Sequence, residues 1–128
     1  MKSEDVLRYT EQTISRATVR RHYVRWRNAQ VPPIPERCDN GDCRYHTELL
    51  EWNGKPVTLI LDHTNGVNSD NRVHNLRLLC PNCNSQLRTH GGGNKGRVEK
   101  STGGFAIKRP DGLRDYVLPA ESGTYKLN

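Results

Sequence analysis

Four cysteines constrain this chain more than any other feature. They fall as Cys38-x4-Cys43 and Cys80-x2-Cys83, two hooks separated by 36 residues, and each hook can turn two thiolates toward one tetrahedral ion. Asn40 and Gly41 in the first hook tolerate the tight turn such a knuckle needs. The second hook stands at an expected strand-to-helix junction, where a helix N-terminus favours thiolate. The spacing points to a structural Zn²⁺ held by Cys38, Cys43, Cys80 and Cys83, which fill the tetrahedron and leave no open position for catalysis. Two disulfides or four free thiols are the alternatives, and a reducing cytoplasm favours metal over disulfides.

Composition explains why a staple is needed. Of 128 residues one is Phe and two are Trp, and 33% are hydrophobic against 27% charged. That suffices for one small domain with appendages, not for a large core. Twenty Lys and Arg against 14 acids leave a net charge of +6, a balance that suits a polyanionic partner, although mild basicity alone is common. No run approaches the roughly 18 apolar residues of a membrane span, and Lys2, Ser3, Glu4 and Asp5 follow Met1 with no apolar stretch behind them. No membrane partner and a cytoplasmic location are expected.

Three segments follow from local pattern. Residues 1–34 form a basic helical segment and a Pro-rich linker. Ser3, Glu4 and Asp5 open a helix over 4–12, and Ser15 caps a second helix running to about Asn28, with Val19, Tyr23 and Trp26 on one face. Arg16, Arg20 and Arg27 share a face of that helix, and the run from Ser15 to Arg21 looks like the second helix of a helix-turn-helix. Pro32, Pro33 and Pro35 make a stiff linker. Residues 35–95 hold the core: an Asn53-Gly54 turn, a strand over 57–61, a polar loop over 64–75, a strand over 76–79, and a helix with Pro81 in its first turn ending near His90. Residues 96–128 form a basic tail, flexible between Gly91 and Gly104, then a β-hairpin about Pro110-Asp111-Gly112.

The run Leu59-Ile60-Leu61-Asp62-His63-Thr64-Asn65-Gly66 is followed by Asp70-Asn71-Arg72-Val73-His74-Asn75-Leu76-Arg77-Leu78-Leu79-Cys80-Pro81-Asn82-Cys83-Asn84. It closely resembles HNH endonucleases, especially small ones from phages and mobile elements, over roughly residues 38 to 95. The resemblance implies an α+β fold with a ββα-metal core stapled by a four-cysteine zinc site, an N-terminal helical segment and a C-terminal hairpin-like extension. It also implies phosphodiester hydrolysis on DNA in a bacterial host cell. Asp62 takes the place of a metal ligand, His63 of the general base, Asn75 of a loop-fixing asparagine and Asn84 of the last metal ligand. Two letters differ from the family's usual ones: Asn84 stands where the name-giving final histidine lies, and Asp62 where other members carry histidine. This Asp-His, Asn, Asn pattern is similar to that of HNH homing and RNA-guided nucleases.

The chemistry of these residues agrees. Asp62 and Asn84 offer hard oxygen ligands suited to Mg²⁺ or Mn²⁺. Neutral His63 can take a proton from an attacking water. Neighbours on a strand point to opposite faces, so Asp62 and His63 share one site only if the strand bends or ends there. Asn75 can brace the long loop by hydrogen bonds so that the imidazole keeps its aim. Arg88, Arg16, Arg20 and Arg72 are further candidates for phosphate contacts, whereas His22, His46, His74 and His90 show no partner. A single site per chain suits a nick by a monomer. A catalytically silent zinc-dependent DNA-binding module, or a nuclease for RNA or single strands, is the alternative reading.

Overall fold

The computed structural model describes residues 1–101 and 103–118; positions 119–128 of the expected tail lie outside the described residues. Ser15 caps α2 (Arg16–Asn28) by accepting the Thr18 amide at 3.2 Å. The helix buries Val19, His22, Tyr23 and Arg27. The first helix is far shorter than 4–12: α1 covers Ser3–Val6 only. Val6 and Leu7 are both fully buried, and the chain after them turns extended to pair with the distant polar loop. Tyr9 bridges Asp70, the Thr10 amide donates to Ser69 and the Asn71 amide to Arg8. These long-range bonds replace the helical ones that 8–12 would have made, and they leave α1 a single turn.

The Asn53-Gly54 signal is a true hairpin turn. Both residues take positive φ, 53° and 74°, as a type I′ turn requires, between β1 (Glu51–Trp52) and β2 (Lys55–Pro56). The next strand starts later than 57. The Val57 amide is drawn to Leu50, and β3 runs Ile60–His63, antiparallel to β4 (Leu76–Leu79) with Leu61 opposite Leu78, Asp62 opposite Arg77 and His63 opposite Leu76. Cys80 caps α3, and Pro81 occupies its first turn. That helix spans Pro81–Ser85, not to His90, because Gln86 and Leu87 close with short three-residue bonds to Cys83 and Asn84. β3, β4 and α3 form a ββα unit, whose leucines join Val6, Leu7, Val19, Tyr23, Cys38 and Cys80 in one hydrophobic cluster.

The Pro-rich run folds back on α2. The buried Arg27 guanidinium donates to the Pro35 carbonyl and, at 2.7 and 3.0 Å, to both Asp39 oxygens, while Asp39 also accepts the Leu78 amide. One ion pair thus joins α2, the first cysteine hook and β4. Arg27 is therefore a core residue.

The expected hairpin about 110–112 is present as β6 (Gly104–Lys108) and β7 (Arg114–Val117). The stretch read as flexible contributes a third strand, β5 (Val98–Ser101), on the other edge of β6. Phe105, buried, packs its ring 5.7 Å from that of Tyr9, and the Tyr9 hydroxyl donates to the Gly104 carbonyl. The tertiary anchor to the N-terminus makes a strand of a sequence whose glycines argued for a hinge.

Candidate active site and metal centre

The two cysteine hooks meet. All four Sγ atoms lie within 4.8 Å of one another. Thiolates about 2.3 Å from a tetrahedral zinc stand about 3.8 Å apart, and Cys43 and Cys80 Sγ are separated by 3.8 Å. Amides converge on the sulfurs: Tyr45 N–H on Cys43 and Cys83 N–H on Cys80, with the Asn40 side-chain amide on Cys83, each at 3.4 Å. Such donors stabilise thiolate charge, so the cluster fits a structural metal such as zinc in both donor type and spacing.

Beside it lies a polar cavity of about 490 Å³ lined by Asp62, His63, Asn84 and Arg16, among others. Asp62 and His63 both reach it because β3 ends at His63. Gly66 then turns the chain at φ 78°, its amide bonded to the His63 carbonyl. The Asn94 side chain donates to the Gly66 carbonyl at 2.6 Å and leaves no room for a Cβ there. Asn84 arrives from α3, held in place by the cap at Cys80.

His63 is buried, and its Nε2 lies 2.7 Å from Asn71 Oδ1. An amide oxygen can only accept, so Nε2 carries the hydrogen and Nδ1 keeps the lone pair. Burial lowers the His63 pKa from the ordinary 6.5 and the Arg16 charge adds to this, against the Asn71 bond and the Asp62 and Asp70 charges, which raise it. With its pKa held below the ordinary value, the ring is neutral at physiological pH.

Asn75 faces the loop, not the cavity. Its Oδ1 accepts the Asn65 amide at 3.1 Å, its Nδ2 donates to Asn65 Oδ1 and the Asp70 carbonyl, and its own carbonyl accepts the Thr64 amide. It thus braces both ends of the loop that carries Asn71. Arg72 holds the fully buried Asp70 through Nε and Nη2, at 2.7 and 2.8 Å, so it serves the loop as well. Arg20 donates to the Leu59 carbonyl and pairs with Glu36, lining a different cavity from Asp62 and His63. Arg88 is exposed beyond the end of α3 and lines a second groove. Of the four arginines, only Arg16 lines the cavity with His63.

From the sequence, Asn71 has no assigned role and Arg77 is a backbone-contact candidate not separable from ordinary surface charge; in the fold Arg77 Nε binds Asp62 Oδ2 at 2.6 Å. The cross-strand register is what pairs Arg77 with Asp62; an i,i+15 separation gave no local signal. Lys100 and His90 also line the cavity, brought there by β5 and by the turn after α3. His22 and His46 do have partners, Ser3 Oγ and the Cys38 carbonyl, both at 2.8 Å.

Over 68 residues the chain is 38% identical to the H-N-H endonuclease F-TflIV of Escherichia phage T5, covering 53% of this chain and 27% of that protein. This likeness supports an HNH nuclease family. The chain spans about a quarter of the length of this curated HNH relative. No protein-family model matches the chain. No solved structure matches it either. Among the described residues no helix is long and apolar enough to cross a membrane.

Proposed function

We propose that this chain is a metal-dependent DNA endonuclease of the HNH type, active in the cytoplasm of a bacterial host. The observation that carries the reading is the convergence of Asp62, His63 and Asn84 on one polar cavity, with Asn71 fixing the ring so that Nδ1 is the free base. His63 takes the proton of the attacking water, which its lowered pKa makes possible at neutral pH. Asp62 and Asn84 are the oxygen donors that would hold one Mg²⁺ or Mn²⁺, whose charge would offset that developing on the scissile phosphate. Arg16 contributes a second cation to the same cavity. Asn75 keeps the loop, and through it Asn71, in register. The four cysteines would hold zinc as a scaffold that sets α3 and Asn84 against the strands.

The rival reading, a silent DNA-binding module, draws on one observation: Arg77 already neutralises Asp62. The two readings part in a plasmid assay. Purified protein is expected to nick supercoiled DNA with Mg²⁺ or Mn²⁺. His63→Ala is expected to lose about 10²–10⁴-fold in rate while keeping its fold and zinc content. Equal nicking by both proteins would sink the assignment of His63, and no nicking by either would favour the silent module.

A further inference from the structure

A second groove of about 750 Å³ opens beside the catalytic cavity, and Asp62, Leu87 and Thr89 line both. Its walls carry six cations, Arg77, Arg88, Lys95, Arg97, Lys108 and Arg109, against two carboxylates, Asp62 and Asp115. The cavity that Arg20 lines is charge-balanced, with Arg20 and Arg37 facing Glu36 and Glu48. The groove lining thus carries four more cations than carboxylates, in a place contiguous with the candidate site. Besides Arg77 on β4, two unrelated stretches build it. The turn following α3 supplies Arg88, Lys95 and Arg97, and the β6–β7 hairpin supplies Lys108 and Arg109. Lys108 and Arg109 meet Glu99, Asp111 and Asp115 through exposed pairs of 3.2 to 3.5 Å, a kind of contact weak enough to yield to a phosphate.

We infer that the C-terminal sheet is a DNA-holding wall: the backbone of the cleaved strand passes from the catalytic cavity over Asp62 into this groove, gripped by Lys95, Lys108 and Arg109. The inference rests on the nuclease reading and adds to it the path of the substrate. Contacts of this kind neutralise phosphates and carry no base readout, so they contribute affinity independent of sequence and strongly dependent on salt.

The test uses the full chain carrying His63→Ala, so that binding is read without cleavage, and measures the affinity for a short duplex across a salt series. Lys95→Gln, Lys108→Gln and Arg109→Gln together are expected to flatten the plot of log affinity against log salt by about 0.9 for each phosphate that is no longer neutralised. Lys95→Arg, Lys108→Arg and Arg109→Lys together should keep the slope, and so should Arg21→Gln with Arg25→Gln on the exposed face of α2. Lys95, Lys108 and Arg109 are all exposed, so folding should survive. An unchanged slope in the glutamine set overturns the groove while leaving wild-type nicking, and with it the nuclease reading, intact. Loss of slope in the α2 pair instead places the track on the helix and overturns the inference. Tighter binding of the same sequence as RNA overturns DNA as the occupant. A parent chain that neither binds nor, as wild type, cleaves DNA overturns both readings together.

Discussion

If His63 is the base proposed above, replacing Asn71 measures how far the chemistry depends on aiming its ring. The bond from Nε2 to Asn71 Oδ1 is 2.7 Å long between two buried side chains, and a neutral bond of this type contributes about 0.5–1.5 kcal/mol. In Asn71→Leu both ring tautomers become open, which by population alone lowers the competent fraction about twofold. The ring is also free to rotate away from the water. Since a positioned base contributes about 10²–10⁴-fold and loss of an orienting partner typically removes about 10–100-fold, kcat should fall by about one to two orders of magnitude with KM little changed. Asn71→Asp reverses the electrostatics. A carboxylate against Nε2 favours imidazolium, raises the His63 pKa and moves the acid limb of the pH–rate profile upward, with activity recovered at higher pH. Plasmid-nicking rates over a pH series, with circular dichroism to confirm folding, decide the matter. A folded Asn71→Leu within about twofold of wild type at every pH, or an acid limb that moves downward in Asn71→Asp, would refute the reasoning.

Other predictions concern the scaffold and the charges around the base. Purified protein should contain about one zinc per chain, and a strong chelator or Cys83→Ser should unfold the ββα unit, read by metal analysis and thermal melting; a metal-free chain of undiminished stability would exclude the structural role. Arg27→Ala strands Asp39 between the cysteine hook and β4 and should cost about 3–5 kcal/mol in urea unfolding, whereas a loss under about 1 kcal/mol would class the pair with surface bridges. Nicking should decline only as pH drops below the ordinary histidine value of 6.5, because burial and Arg16 hold the His63 pKa beneath it; Arg16→Ala removes a repelling cation and should shift that decline to higher pH. His63 also ties folding to pH: its pKa is lower folded than unfolded, so its contribution is full above 6.5 and is lost as pH falls through the folded value, a slope visible in unfolding midpoints.

The sequence by itself determined the parts whose signals are local. Cysteine spacing pointed to the four ligands, Asn53-Gly54 to its turn, Ser15 to its cap and Pro81 to its helix start, each because the physics acts within a few residues. The run from Asp62 to Asn84 marked the candidate site by its residue types and by resemblance to the HNH family, and the folded chain does place Asp62, His63 and Asn84 on one cavity. Only the tertiary structure decided where each arginine goes. Arg16, Arg20 and Arg27 lie on one helix with similar spacing, yet one lines the cavity, one pairs with Glu36 and one is buried on Asp39. Their partners sit on other elements, and no pattern within the helix encodes them. The same holds for α1, cut short by the pairing of Tyr9 with Asp70, and for β5, made a strand by its register with β6. Local propensity was outweighed there by hydrogen bonds to residues far along the chain. Asn71 belongs to both accounts: its place in the run was plain, but that it fixes the proton on His63 depends on a loop that Asn75, Asp70 and Arg72 hold closed.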